Sequence, residues 1–146
     1  MSARSAIVIQ RASRLRGIPP DRLFRTWLAA ALPMPAELSL RVVNAAEGRQ
    51  LNHAYRRMDY ATNVLTFIYH EAGAKVLAGD IVLCAQVVAR EAREQGKSLA
   101  AHYAHLTVHG ALHLSGMDHE NAREAKAMEA REVAILAQLG VADPYA

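Results

Sequence analysis

A single cysteine, Cys84, stands in the whole chain. Without a partner it forms no internal disulfide, so nothing argues for an oxidising compartment, and its apolar neighbours predict a buried thiol. Long apolar runs are missing too. None approaches the roughly 18 residues that a membrane span needs, which excludes a helical membrane protein and any membrane partner. The opening Met1-Ser2-Ala3-Arg4 passes into a short strand-like run, Ala6 to Ile9, without the apolar stretch and small-residue cleavage site of an export signal, so a cytoplasmic protein is expected. Linkers, repeats and low-complexity tracts are absent as well. With 146 residues, 52% of them hydrophobic and 21% charged, the chain suits one core, and residues 1–146 are expected to form a single domain.

Acidic residues are scarce at the start. Arg4, Arg11, Arg14, Arg16, Arg22 and Arg25 face only Asp21, which leaves the first 25 residues at +5 and the remainder at −2. Such a segment attracts phosphate backbones if it lies beside a nucleic-acid cleft, and is otherwise a solvated basic surface.

Periodicity supplies the elements. Ile7 to Gln10 reads as a strand, and the turn around Gly17-Ile18-Pro19-Pro20 leads into a helix whose stripe is Leu23, Trp27, Ala30 and Ala31. Leu38, Leu40 and Val42 alternate as a second strand. Asn44 with Glu47 three residues on resembles a capping box opening a helix with the stripe Leu51, Ala54, Tyr55 and Met58. Asn63 to Tyr69 and Asp80 to Cys84 are two further strands, joined by too few residues for a helical crossover and therefore antiparallel. Ala85 to Gln95, a helix capped by Ser98, and a last helix from about Asn121 with Met128, Ile135, Leu136 and Leu139 on one face follow. The fold class is α+β, of α/β-like character: a small mixed four-stranded sheet surrounded by about five helices.

Chemistry concentrates in His109-Gly110-Ala111-Leu112-His113-Leu114-Ser115-Gly116-Met117-Asp118-His119. On a helix, His109 and His113 project from one face one turn apart. Gly116 stops that helix where a left-handed residue is most easily placed, so His119 can return to the same point. Three imidazoles suit one Zn(II) per chain, and three protein ligands leave a position open, as in catalytic sites. His102, His105, His109 and His113 all fall within about 80° on the helix, but a turn rises about 5.4 Å while zinc–nitrogen distances are about 2.0–2.1 Å, so one helix cannot offer all four to one ion. His109 and His113 lie nearest the turn. His105 either supports the site, binds substrate or is a satisfied core histidine. His102, His53 and His70 read as structural or exposed. A zinc protease of the H-E-x-x-H kind needs Glu after the first His, and here Gly110 stands there. Without that base, a metal hydrolase of phosphodiesters is the alternative, and it needs a cation for the developing phosphoryl charge, with Arg56 or Arg57 as candidates.

The sequence resembles the YbeY endoribonucleases of bacteria. The motif H-G-x-L-H-L-x-G-x-D-H is matched by His109, Gly110, Leu112, His113, Leu114, Gly116, Asp118 and His119. A second segment is matched by Leu51, Asn52, Tyr55, Arg56, Asp59, Thr62, Asn63, Val64, Leu65 and Phe67, with Thr66 in place of the usual Ser and Ile68 where Pro often follows. The similarity continues through Gly79-Asp80-Ile81 and Asp143-Pro144-Tyr145. It implies zinc on His109, His113 and His119 and Arg56 as the residue important for RNA cleavage; beside these, His105 and Asp118 are possible supporting or substrate-binding groups. A compact cleft ending in a recessed metal would admit a single strand of RNA more easily than a duplex, and the resemblance directs this to the small-subunit rRNA precursor near its 3′ end, with the ribosome or its proteins as partners in quality control. Two other readings are a metalloprotease-like hydrolase and a non-catalytic ribosome-assembly factor with a structural metal. For Arg56 the bland alternative is an ion pair with Asp59.

Overall fold

The computed structural model describes residues 5–146; Arg4, with the rest of the Met1–Arg4 opening, lies outside the described residues. Among these residues are four strands and five helices, in the order β1 (Ala6–Arg11), α1 (Asp21–Ala31), β2 (Ala36–Val43), α2 (Ala45–Arg56), β3 (Val64–Ile68), β4 (Leu77–Cys84), α3 (Ala85–Glu94), α4 (Leu99–Leu114) and α5 (Ala122–Gln138). The strands lie side by side as β1-β2-β4-β3. β1, β2 and β4 are parallel, while β3 returns antiparallel along β4 with Thr66 opposite Ile81. The sheet is therefore mixed, and its β3 edge is the one that reaches the candidate site.

Alternation along β2 and β4 divides the core between the two faces of the sheet. Leu38, Leu40, Ile81 and Leu83 pack with α1, α4 and α5 in the main core, whereas Val43, Leu65 and Val82 form a small cluster with Leu51 of α2. Cys84 is buried, as its neighbours predict. Two close approaches make this packing possible. A Cβ on Gly79 would run into the Phe67 carbonyl across the β3–β4 pair, and one on Gly110 would sit 3.0 Å from Ile81 Cγ2. α4 is thus pressed onto β4 at the position where a zinc protease would carry its glutamate.

Two helix stripes are rotated from the sequence expectation. In α1 the buried residues are Phe24, Trp27, Leu28 and Ala31, with Leu23 and Ala30 only partly covered. Phe24 sets the rotation, since its ring meets Trp27 edge-on at 5.4 Å and Tyr103 of α4 at 5.7 Å. In α2 the buried residues are Gly48 and Asn52; Leu51 is half-buried, Ala54 and Tyr55 are exposed, and Met58 lies beyond the helix. α2 covers only the small cluster, so its apolar stripe is narrow and a glycine makes the closest approach.

Asn44 occupies the cap position of α2 without capping it. Its Oδ1 accepts hydrogen bonds from Ser13 Oγ and Gln86 Nε2, at 2.6 and 2.9 Å. Glu47 is engaged by Arg41 through two bonds of 2.6 and 2.9 Å, so no capping box forms. The Arg41 guanidinium holds the Glu47 carboxyl below its ordinary pKa. The expected cap at Ser98 is made, its Oγ accepting from the Ala101 N–H, and Asn121, where the last helix is expected to begin, caps it by accepting the Glu124 N–H on Oδ1.

Candidate active site

α4 ends in a chain reversal. Gly116 adopts φ +108°, its N–H donates to the His113 carbonyl at 3.1 Å, and the Met117 N–H donates to the Leu112 carbonyl at 3.0 Å. These paired bonds form a Schellman motif, satisfying carbonyls that the helix end leaves open. The reversal carries His119 back over α4, with its ring centroid 5.5 Å from that of His109 and 6.2 Å from that of His113. Asp118 Oδ1 accepts the His119 backbone N–H at 2.8 Å and steadies the returning segment.

Two of the three rings have Nδ1 committed. His113 Nδ1–H donates to the Met117 carbonyl at 3.1 Å, and His109 Nδ1–H donates to Glu132 Oε2 at 3.4 Å. A carbonyl and a carboxylate only accept, so each neutral ring keeps an unprotonated Nε2. That is the form in which imidazole binds a metal. With zinc–nitrogen at about 2.0–2.1 Å, two imidazoles on a tetrahedral ion have centroids about 5 Å apart. The observed spacings come near this value. Among the described residues, however, no group of three or more His, Cys, Asp or Glu side chains is gathered tightly enough to grip an ion as it stands. The donor set fits zinc and the rings converge without closing, with His119 on the exposed turn.

Glu132 of α5 escaped the sequence reading. It is a carboxylate with 1% of its surface exposed, and besides His109 it accepts from His105 Nε2 at 2.8 Å and from the Tyr145 hydroxyl at 2.9 Å. Burial alone would raise its pKa, but the hydrogen bonds from His105 and His109 more than offset this and bring it down to about 2. Burial and the neighbouring Glu132 carboxylate push the Tyr145 phenol well above its ordinary value. A signal was available: position 132 falls between Met128 and Ile135 on the apolar stripe of α5, where a charged residue calls for a buried partner.

His102 proves structural. It is buried and its Nε2–H donates to Glu91 Oε1 at 2.9 Å; Glu91 also accepts from Asn63 Nδ2. Burial lowers the His102 pKa against the opposing pull of Glu91. His53 is exposed, and His70 Nδ1 accepts the Ala78 N–H within the β3–β4 connection.

Arg56 is the last residue of α2, and Arg57, in the left-handed region at φ 57°, turns the chain away behind it. Asp59 is held by Arg49 in a two-pronged pair at 2.7 and 2.9 Å, so the expected alternative for Arg56 is not formed, and Arg56 makes no ion pair among the described residues. Instead it lines a cleft of about 740 Å³ together with His109, His113, His119, Asp118 and exposed Tyr55 and Tyr69. Beyond His109 and His119 a second hollow of about 440 Å³ contains Arg56 again, Asn63 and Tyr145. Arg57 lines neither. His105 also lines neither and lies behind His109 against Glu132.

Among the described residues, the arginines of the basic N-terminal segment lie elsewhere. Arg11 is spent on the Pro19 carbonyl and Asp21, Arg25 donates to the Ile7 carbonyl, and Arg16 lines a separate hollow with Arg93 and Lys97. β1 is the sheet edge opposite β3, so this charge does not border the cleft.

A family model for endoribonuclease YbeY matches residues 19–140. The chain belongs to the endoribonuclease YbeY family. It is 56% identical to the endoribonuclease YbeY of Aromatoleum aromaticum, covering 99% of this chain and 95% of the relative, and 50% identical to that of Thiobacillus denitrificans, covering 99% of each. Among solved structures it resembles the solution structure of TM1509 from Thermotoga maritima, with a TM-score of 0.53 and 21% identity over 91% of this chain and 92% of the other, a likeness of fold. The YbeY family carries RNA cutting in its name, and Gly110, at the position where an H-E-x-x-H protease carries its glutamate, is tightly packed against Ile81. No helix among the described residues is long and apolar enough to cross a membrane.

Proposed function

We propose that this chain is a zinc-dependent endoribonuclease specific for single-stranded RNA, acting in the cytoplasm in maturation of the 16S rRNA 3′ end and in ribosome quality control, in contact with the ribosome or its proteins. The observation that carries this reading is the meeting of His109, His113, His119 and Arg56 at one cleft, with the Nδ1 atoms of two of the imidazoles already tied down.

One zinc ion would be held by Nε2 of His109 and His113 and by the His119 ring, supplying Lewis-acid polarisation and charge neutralisation at a phosphoryl oxygen. Arg56 adds a planar fork that grips a phosphate with two parallel hydrogen bonds and stabilises charge as it develops. Asp118 keeps the His119 turn in place through the backbone N–H it accepts. The preference for single strands rests on the walls of the cleft. Tyr55 and Tyr69 are 67% and 64% exposed and offer flat faces to unpaired bases, which a duplex would keep stacked inside itself.

The test compares zinc-loaded wild type with His113→Ala on labelled single-stranded RNA and on the same sequence as a duplex. Wild type is expected to cut the single strand, to spare the duplex and to stop on chelation, and His113→Ala is expected to be inactive. Cells lacking the protein, complemented with each form, place the activity: recovery of correct small-subunit 3′ ends by wild type alone supports the reading, and equal recovery by both replaces it with a non-catalytic assembly role.

A further inference from the structure

Glu132 is costly where it stands. A buried carboxylate on an apolar stripe must be matched by donors, and apolar residues of similar size usually serve stability as well or better. Here three donors converge on it: His105 Nε2–H and the Tyr145 hydroxyl reach Oε1, and His109 Nδ1–H reaches Oε2. The cluster does not satisfy itself, because His105 Nδ1 is buried with no partner. Both His105 nitrogens are therefore unavailable to a ligand or substrate. His109 is the only member with a nitrogen left over at the cleft.

We propose that Glu132 is a positioning residue for His109: by accepting from Nδ1 it selects the tautomer and ring orientation that leave Nε2 open at the cleft, while His105 and Tyr145 brace the carboxylate from behind. A free histidine side chain favours the opposite tautomer, with the proton on Nε2, so the selection is needed. His105 is thereby assigned a bracing role, and the chain end at Tyr145 becomes part of the site's framework. The inference deepens the zinc reading and rests on it.

The experiment has two readouts on the full chain. Nitrogen-15 NMR of the metal-free protein, at a pH where imidazoles are neutral, reports which His109 nitrogen carries the proton, and competition with a chelator reports zinc affinity. Wild type is expected to hold His109 as Nδ1–H. Glu132→Gln, its fold checked by circular dichroism, is expected to populate Nε2–H and to bind zinc about 10- to 100-fold more weakly, as when a partner of a metal-binding histidine is lost. Tyr145→Phe, which removes one brace and leaves Glu132 in place, should weaken zinc in the same direction by less. Wild-type tautomer and affinity in Glu132→Gln would overturn the inference, and if that variant does not fold, Nε2–H at His109 of the wild type would overturn it alone. Failure of the wild type to bind zinc at all would instead overturn the zinc reading beneath it.

Discussion

His102 and His109 stand two turns apart on the same face of α4, and each is held by a glutamate. Glu91 takes His102 through Nε2, the nitrogen at the tip of the ring, and leaves Nδ1 buried without a partner. Glu132 takes His109 through Nδ1, close to the backbone, and leaves the tip at the cleft. The chemistry of the pair is alike and the consequence opposite. Which ring nitrogen a neighbour occupies decides whether a histidine is held entirely within the fold or keeps its tip nitrogen at the cleft, and that choice is made by another helix, α3 in one case and α5 in the other.

If this comparison holds, changes at the cleft end of α4 should remove chemistry and spare the fold, and changes at the His102 end should do the reverse. Short of losing a metal-binding histidine, the largest effect is expected from Arg56→Ala, which faces the cleft end of α4 from the end of α2. Cleavage should fall about 10²- to 10³-fold, the usual loss on removing one electrostatic stabiliser, with zinc content and melting temperature kept. Arg56→Lys should rescue poorly, since a point charge does not reproduce the fork. Loss of folding in Arg56→Ala, read by circular dichroism, would give the residue a structural role instead. His102→Ala should cost about 1–3 kcal/mol in denaturant unfolding, because Glu91 loses its buried imidazole donor and keeps only Asn63, while cleavage below the melting transition stays at the wild-type level.

Acid sharpens the contrast. A carboxyl whose folded pKa lies below its unfolded value stabilises the fold above the unfolded value, and that contribution is lost as the pH falls. For Glu132 the window runs from the ordinary 4.5 down to about 2. Metal-free wild type should lose stability across it, and Glu132→Gln should show a shallower decline. The smallest effect is expected from Arg14→Ala with Arg16→Ala. Arg16 lines the hollow with Arg93 and Lys97 and neither arginine lines the cleft, so cleavage of a short single strand should change little.

What the sequence made legible follows from local rules. Alternation in β2, the short β3–β4 link, the Ser98 cap, the helix start near Asn121 and the Gly116 reversal are each decided within a few residues, and each is present. The two rotated stripes depended on distant partners: Phe24 turns α1 toward Tyr103, and α2 meets only a small cluster. The capping box at Asn44 and Glu47 failed because side chains from elsewhere, Ser13, Gln86 and Arg41, engaged both residues first. Arg56 was left open between a phosphate role and Asp59, and Arg49 removed the second choice. Glu132 was missed because an apolar stripe was read by its hydrophobic members alone.

The most direct measurement is zinc bound per chain after equilibrium dialysis of wild type, His113→Ala and His102→Ala. About one ion in wild type and in His102→Ala, with almost none in His113→Ala, is expected from a tripod at the cleft end of α4. Equal zinc in wild type and His113→Ala, or none in the wild type, would contradict it.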